Sequence, residues 1–595
     1  MKRLITILLI FIGKVALAQQ AVTISPEYPQ RGQTVTVTYD PAAAGAQIPA
    51  SATTVTLVFS YSTFYDLPWR IEMEKKGTVW TASFALAKFA AFATFYLQSG
   101  DAVQKPGPDN HYEVMVYSGK TPVLNSNLYK GYSLSAQMRK SPEVAVKQAE
   151  QYEKELMLYP SNYEAKLRLL VYKMSKADDK DKKWLREQAH KVIADKFYEA
   201  PTVMGNINKV TMGYLIIGEN SRLDSIRKVI REKYPDSEVG RDLVTDMISK
   251  EKDTTKQIAL FEKELKKETK QNAASFSAMH RQLFELYAAK KNSSKALLHA
   301  PKFSKNDDSP YKPETLKMVA QTLMDNNIAL DSARAYAQRS LAMADKFPTG
   351  IIRHFPETGY ILPYANDSTR KAVFERASAN LLSLIALIDM RAGQLPEATR
   401  NMDKALQLSS DKETLDNAAV FFQQTANTAR LAELQVLREK LMQEKIAKLR
   451  TNRPAPALNT FVDMKGNPVP PETWKNKILV IDFWATWCIP CMQEMPYLQK
   501  IYDQYKNNPD VAFLVVNSGA RNTLKDAQGW SGNKKYSFPV YYNTDPAIGD
   551  KFKFNIIPAT YIINKEGNIQ FANIGFEGAE VETKLKLQIE MLLKN

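Results

Sequence analysis

The 595-residue sequence predicts a multidomain protein in three parts: an all-β N-terminal part, an all-α middle part and an α/β C-terminal domain. Three observations predict it. Apolar residues alternate with period two from about Ala21 to Tyr132. The period becomes helical from about Ser141 to Leu449. An apolar, β-branched run from Ile478 to Phe483 then leads straight into a new helical pattern. With 44% apolar and 24% charged residues the chain has the composition of an ordinary globular protein, so each part can bury a core.

Residues 1–18 stand ahead of these parts. Lys2 and Arg3, a short apolar run from Leu4 to Gly13 and the small-residue site Ala16-Leu17-Ala18 predict a secretory signal peptide cleaved before Gln19. The run is shorter than the roughly 20 residues that span a bilayer, and Lys14 closes it, so no transmembrane segment is expected after cleavage. No cysteine lies near the cleavage site, and a lipid-anchored form is therefore not expected.

Over residues 19–135 the alternation is carried by Val35, Val37 and Tyr39, by Val55, Leu57, Phe59 and Tyr61, by Trp80, Ala82 and Phe84, and by Tyr112, Val114 and Val116. Turn signals at Arg31-Gly32, Lys76-Gly77 and Pro106-Gly107-Pro108 separate the runs. The expectation is an immunoglobulin-like β-sandwich. Such domains often bind sugars or proteins, which makes Trp69 and Trp80 candidate contacts to a glycan or protein ligand; core or rim packing is the other reading of both.

Residues 141–449 are expected to form a helical-repeat region. Ala145, Ala149, Tyr152, Leu156 and Tyr159 recur at helical spacing, Tyr159-Pro160-Ser161-Asn162 interrupts, and Ala165 restarts the pattern. The stretch Ala379 to Lys412 resembles a tetratricopeptide repeat, with Gly393 at the turn, Glu397-Ala398 opening the second helix, and Ala405 and Leu408 at the small and large packing positions. A weaker echo runs through Ala333, Ser340, Leu341 and Pro348. The region would present a binding surface for a protein or glycan or hold the end domains apart, and an irregular helical spacer remains the alternative. Residues 450–456, with Pro454 and Pro456, read as a stiff linker to a domain over 457–595.

The net charge of +16 does not point to nucleic acid. From Arg453 onward 16 Lys and Arg oppose 14 Asp and Glu, which leaves +2 there and +14 upstream, interspersed along helical stretches such as Glu262 to Lys270 as on solvated faces. No nucleic-acid partner is expected.

The chain has two cysteines, Cys488 and Cys491, too close in sequence to act as a stabilising staple. Trp487-Cys488-Ile489-Pro490-Cys491 follows the apolar run and precedes Met492, Met495, Leu498, Ile501 and Tyr505 at helical spacing. Cys488 thus falls at a strand-to-helix junction, where unpaired amides and the helix dipole favour a thiolate, and Cys491 lies one turn on, placed to resolve a mixed disulfide. Pro490 suits the first turn. Zinc would need further ligands, and the five histidines (His111, His190, His280, His299, His354) lie upstream and scattered; Met492 stands where covalent haem attachment requires a histidine. No metal and no cofactor beyond the Cys488/Cys491 pair is expected, and the pair reads as a redox site.

The run FWATWCIPC resembles the thioredoxin superfamily, and WCIPCMQEMP is similar to its exported, membrane-linked TlpA/ResA-like branch, over about Pro454 to Asn595. The resemblance implies a thioredoxin fold and a thiol-disulfide oxidoreductase. It implies that Asp482 is the buried acid exchanging protons with the resolving thiol, that Glu494 is a second active-site acid, and that Pro496 kinks the helix. Val511 to Asn517 and Phe538 to Tyr541 match further strands, and Ile556-Ile557-Pro558-Ala559-Thr560 matches the segment whose cis proline lies against the disulfide, so Trp487, Ile489, Pro490, Ile557 and Pro558 would meet the substrate. It further implies a disulfide-containing protein substrate, a membrane electron donor as in cytochrome c maturation, and the periplasm or cell envelope of a Gram-negative bacterium. One feature departs from the pattern: the central strand carries no lysine facing the buried acid. An oxidase or isomerase on the same fold, and a binding or scaffold protein with an accessory redox domain, are the alternative functions.

Overall fold

The computed structural model describes residues 20–61, 67–305, 307–355 and 359–594. The expected signal peptide lies outside the described residues. The chain divides into two compact units, Met1–Phe421 and Phe422–Asn595.

The first unit begins with two packed sheets. One has the strand order Val22–Ser25, Thr34–Tyr39, Val79–Ala85, Glu74–Lys76; the other has Trp69–Glu72, Thr56–Tyr61, Phe92–Ser99, Ala102–Gln104, with Tyr112–Met115 also on Phe92–Ser99. The alternating residues do face inward: Val35, Val37, Tyr39, Leu57 and Phe59 are completely buried in one core, and Trp80 is buried with them. The β part stops earlier than expected, because Ser126–Gln137 is a helix. Its first amides are held from a distance. The buried carboxylate of Glu155 accepts hydrogen bonds from the amides of Asn125 (2.7 Å) and Asn127 (3.0 Å) and from the Asn162 side chain (2.9 Å).

Helical hairpins follow, with a departure from the all-α expectation. Arg353–Phe355 and Gly359–Ile361 pair as antiparallel strands, and Ile361 joins the core of the β part. In the hairpin of Asp367–Arg391 and Leu395–Leu408, Gly393 takes φ +80° at the turn, where a Cβ would be strained, and Ala398 and Ala405 are completely buried. Leu408 does not fill the large packing position expected of it; it is exposed at the last helical turn. Similarly, Val144 rather than Ala145 takes the buried face of Pro142–Leu158.

The second unit starts inside the region expected to be helical repeat. Helix α1 (Thr428–Lys448) buries Ile446 against Leu585, Ile589 and Leu592 of α5 (Glu580–Leu593). Residues 450–456 are not a free linker. Arg453–Pro454 forms edge strand β1, with Arg453 opposite Ile569 and Pro454 opposite Asn568, and the Thr451 amide donates to the Gln570 carbonyl at 2.7 Å. An edge is the place in a sheet that tolerates proline, which has no N–H to give. The remaining elements are β2 (Phe461–Val462), β3 (Ile478–Trp484), α2 (Ile489–Tyr505), β4 (Val511–Asn517), α3 (Leu524–Gln528), β5 (Val540–Asn543), α4 (Ile548–Phe552), β6 (Ala559–Ile563) and β7 (Asn568–Ile574). Among the described residues the sheet order is β1-β7-β6-β3-β4-β5-β2, with β3, β4 and β5 parallel and β6 and β7 antiparallel. All seven residues of β3 are buried, as its run of apolar residues interrupted only by Asp482 requires of a strand covered on both faces.

Candidate active site

Side chains alternate along β3, and the alternation decides which residues reach the cysteines. Ile478, Val480 and Trp484 lie in the core cluster that contains Cys488 and Cys491, while Leu479, Ile481 and Phe483 lie in the cluster on the opposite face. Asp482 therefore points to the cysteine face. On the neighbouring strand β6, Ile562 belongs to the cysteine cluster and Ala559, Tyr561 and Ile563 to the other, so Thr560 also points to the cysteine face, directly opposite Asp482 in register.

Cys488 is the N-cap of α2, and its Sγ accepts the Cys491 amide at 3.2 Å. The sulfur thus sits where the helix N-terminus favours negative charge. The two sulfurs form a disulfide, S–S 2.04 Å, and both residues are buried. The loop before them is braced by Asn522, whose Oδ1 accepts the Thr486 amide at 2.7 Å and whose Nδ2 donates to Thr486 Oγ1 at 2.8 Å. The Ile557–Pro558 peptide is cis, and the Ile557 carbonyl oxygen lies 3.6 Å from Cys488 Sγ. Around the disulfide Trp487, Ile489, Pro490 and Ile556 are exposed, Ile557 is half-buried and Pro558 is buried. Trp487 is held by its Nε1, which donates to the Ala520 carbonyl at 2.8 Å, with the Arg521 guanidinium over its ring.

Asp482 and Glu494 are both almost completely buried, and both carboxyls are pushed well above the usual range. Burial is the main cause for each, since a charged carboxylate loses its hydration there. Glu494 is raised further by the charge of Asp482. Lys584 on α5 acts in the opposite direction. Between the acids stands Thr560, its hydroxyl oxygen 3.1 Å from Asp482 Oδ1 and 3.2 Å from Glu494 Oε1. Sequence reasoning missed Thr560. Its position two residues after Pro558 is visible, but only the antiparallel register puts it opposite Asp482. It also missed Lys584, which is largely buried and bonded to Glu577 at 2.9 Å, and whose charge acts on Glu494 from α5 although the central strand supplies none.

The five histidines are not all scattered. His280 and His299, on adjacent helices Ser277–Ala289 and Ser293–Ser304, are buried with their Nδ1 atoms 2.9 Å apart, and His280 Nε2 lies 3.0 Å from Glu268 Oε2. Burial, and secondarily His280, lower His299 to about 4. Helix pairing, not sequence spacing, brings them together. Among the described residues no group of three or more His, Cys, Asp or Glu could hold a metal ion, and no helix is long and apolar enough to cross a membrane.

Residues 450–586 match the Redoxin family. The "Thioredoxin-like protein YneN" of Bacillus subtilis is 32% identical over 117 residues, 19% of this chain and 66% of that protein. The "Thiol-disulfide oxidoreductase ResA" of the same organism is 30% identical over 107 residues, 18% of this chain and 58% of that protein. The chain thus spans less than two thirds of the length of these curated relatives. The crystal structure of StoA from Bacillus subtilis is 22% identical and covers 22% of this chain and 99% of its own, with a TM-score of 0.19. The motif at the β3–α2 junction, the strand order around it and the family match coincide on one segment: residues 450–586 match the Redoxin family and form a thioredoxin-like domain.

Proposed function

We propose that the protein is an exported thiol-disulfide oxidoreductase that reduces disulfides of other proteins in the cell envelope. The observation that carries this reading is the Cys488/Cys491 pair at the N-terminus of α2, with the first sulfur receiving the amide of the second residue. In the reduced protein the Cys488 thiolate attacks one sulfur of a substrate disulfide. The substrate S–S bond breaks, a Cys488–substrate bond forms, and the released substrate thiolate takes up a proton. The Cys491 thiol then loses its proton toward the buried acids Asp482 and Glu494 and attacks Cys488 Sγ, which expels the second substrate thiolate. Two electrons pass to the substrate and leave the protein as the disulfide, so a membrane electron donor is proposed to restore the dithiol. The apolar rim of Trp487, Ile489, Pro490, Ile557 and Pro558 would receive the substrate chain.

Export is supported by the composition of residues 1–18, and the periplasm of a Gram-negative bacterium, with haem-protein maturation, is the candidate setting that the family resemblance suggests. The two packed sheets support an immunoglobulin-like reading of the N-terminal part, and the Ala398/Ala405 hairpin a tetratricopeptide-like one; both parts are proposed to bind a protein or glycan. Oxidase or isomerase activity uses the same residues, and a measured reduction potential separates it from reduction, because related dithiols run from about −120 to −270 mV.

Trapping tests the reading. Cys491→Ser leaves Cys488 without its resolving partner, so in cells the variant is expected to accumulate mixed disulfides that reductant releases and that Cys488→Ser abolishes. If no Cys488-dependent adduct forms, the exchange reading is wrong.

A further inference from the structure

We propose that the Thr560 hydroxyl is a positioning group that bridges Asp482 and Glu494 and holds them as a pair sharing one proton. The inference deepens the thiol-disulfide exchange proposed above and rests on it.

The geometry sets a hydrogen count. A threonine hydroxyl has one hydrogen to donate and lone pairs to accept. Its oxygen lies 3.1 Å from Asp482 Oδ1 and 3.2 Å from Glu494 Oε1. With both acids ionised it can donate to only one, and the other carboxylate then faces an oxygen lone pair. With one acid protonated, that acid donates to Thr560 and Thr560 donates to the remaining carboxylate, so both contacts become hydrogen bonds.

The surroundings argue the same way. Asp482 is 1% and Glu494 2% exposed, and their other oxygens, Oδ2 and Oε2, have no hydrogen-bond partner among the described residues. Two adjacent, buried, poorly solvated carboxylates cost much more than one carboxylate and one carboxylic acid in a hydroxyl bridge. The charged groups that face Glu494 are Asp482 and Glu577, which favour keeping its proton, and Lys584, which opposes it; Thr560 is the polar partner facing Asp482. Both acids are raised by burial, and Glu494 also by the charge of Asp482, so one proton stays within the pair. Glu494 lies one helical turn beyond Cys491 on the same helix, so the shared proton is held on the helix face of the resolving cysteine. Because the backbone register of β3 and β6 fixes Thr560 opposite Asp482, the bridge is built into the sheet.

Removing the hydroxyl at constant shape tests this. The bridge favours the singly protonated pair over both the doubly protonated and the doubly ionised forms, so Thr560→Val should narrow the gap between the two proton losses. The readout is the infrared carbonyl band of protonated carboxyls in the full-length disulfide form, titrated from acid to alkaline pH. Near neutral pH the wild type is expected to keep such a band, and Glu494→Gln should remove it. In Thr560→Val the band should disappear about one pH unit lower than in the wild type, roughly the value of one hydrogen bond. Thr560→Ser should restore the wild-type titration. Thr560→Ala gives a second hydroxyl-free variant in case valine is not accommodated, with circular dichroism confirming folding. Absence of the band in the wild type, or coincident titrations of wild type and both hydroxyl-free variants, overturns the bridge.

The pH profile of disulfide reduction, measured on the same proteins, separates this failure from that of the exchange reading. Wild-type protein that reduces no disulfide at any pH removes the reading on which the bridge rests. Wild-type protein that does so, with a profile unchanged in Thr560→Val, removes only the bridge.

Discussion

Glu494 and Asp482 tie the stability of the C-terminal unit to pH. Both carboxyls are raised by burial, so each binds a proton in the folded protein at pH values where the unfolded chain has lost it. For an acid shifted upward, the stability contribution is complete below the unfolded value of about 4 and is lost as pH rises toward the folded value. The C-terminal unit should therefore weaken between mildly acidic and alkaline pH. Glu494→Gln removes the group raised by both burial and its neighbour, and should flatten this dependence while leaving the acid-side stability nearly unchanged. Urea midpoints at several pH values check it, and parallel curves for variant and wild type would contradict the assignment. At this scale the sequence was most informative where chemistry is local. Cys488, Cys491 and Pro490 were placed by spacing to a strand-to-helix junction, and Asp482 and Glu494 by resemblance. Thr560 and Lys584 could not be found that way, since each matters through a partner 66 or more residues distant in the chain.

Among the elements, the buried strands and their alternation were legible because period two survives any tertiary arrangement in which one face is covered. Boundaries decided by distant partners were not. The helix Ser126–Gln137 depends on Glu155 for its first amides, β1 exists only because β7 offers it an edge, and the hairpin at Arg353–Ile361 has its apolar residue in the core of the β part. Helix α1 was read as the end of the middle region, yet Ile446 is a core residue of the C-terminal unit. Ile446→Ala should therefore destabilise that unit by about 2 to 4 kcal/mol, the usual range for a truncated core side chain. Chemical denaturation followed through the C-terminal unit measures it, and a change under about 0.5 kcal/mol, typical of surface sites, would place α1 outside the core.

For the whole molecule, the residues proposed to carry the chemistry, from Asp482 to Lys584, lie in one compact unit, Phe422–Asn595. A fragment with these bounds is expected to reduce a small protein disulfide at the rate of the full chain. A marked loss of rate would mean that the first unit takes part in the chemistry. The first unit, which holds most of the net positive charge, is proposed to select partners, so full-length and fragment proteins should differ in the adducts their Cys491→Ser forms capture.

The sequence alone determined which residues could do chemistry and on what kind of element: a lone cysteine pair, an apolar strand before it, a helix after it, and alternating or helical periods elsewhere. These are local properties, set by bond geometry and by the partition of side chains between water and core. The tertiary structure decided which of those residues meet. Strand register and helix packing put Thr560 between two acids, bring the charge of Lys584 to bear on Glu494 and set His280 against His299, because long-range contacts depend on how faces align and no local period encodes that alignment.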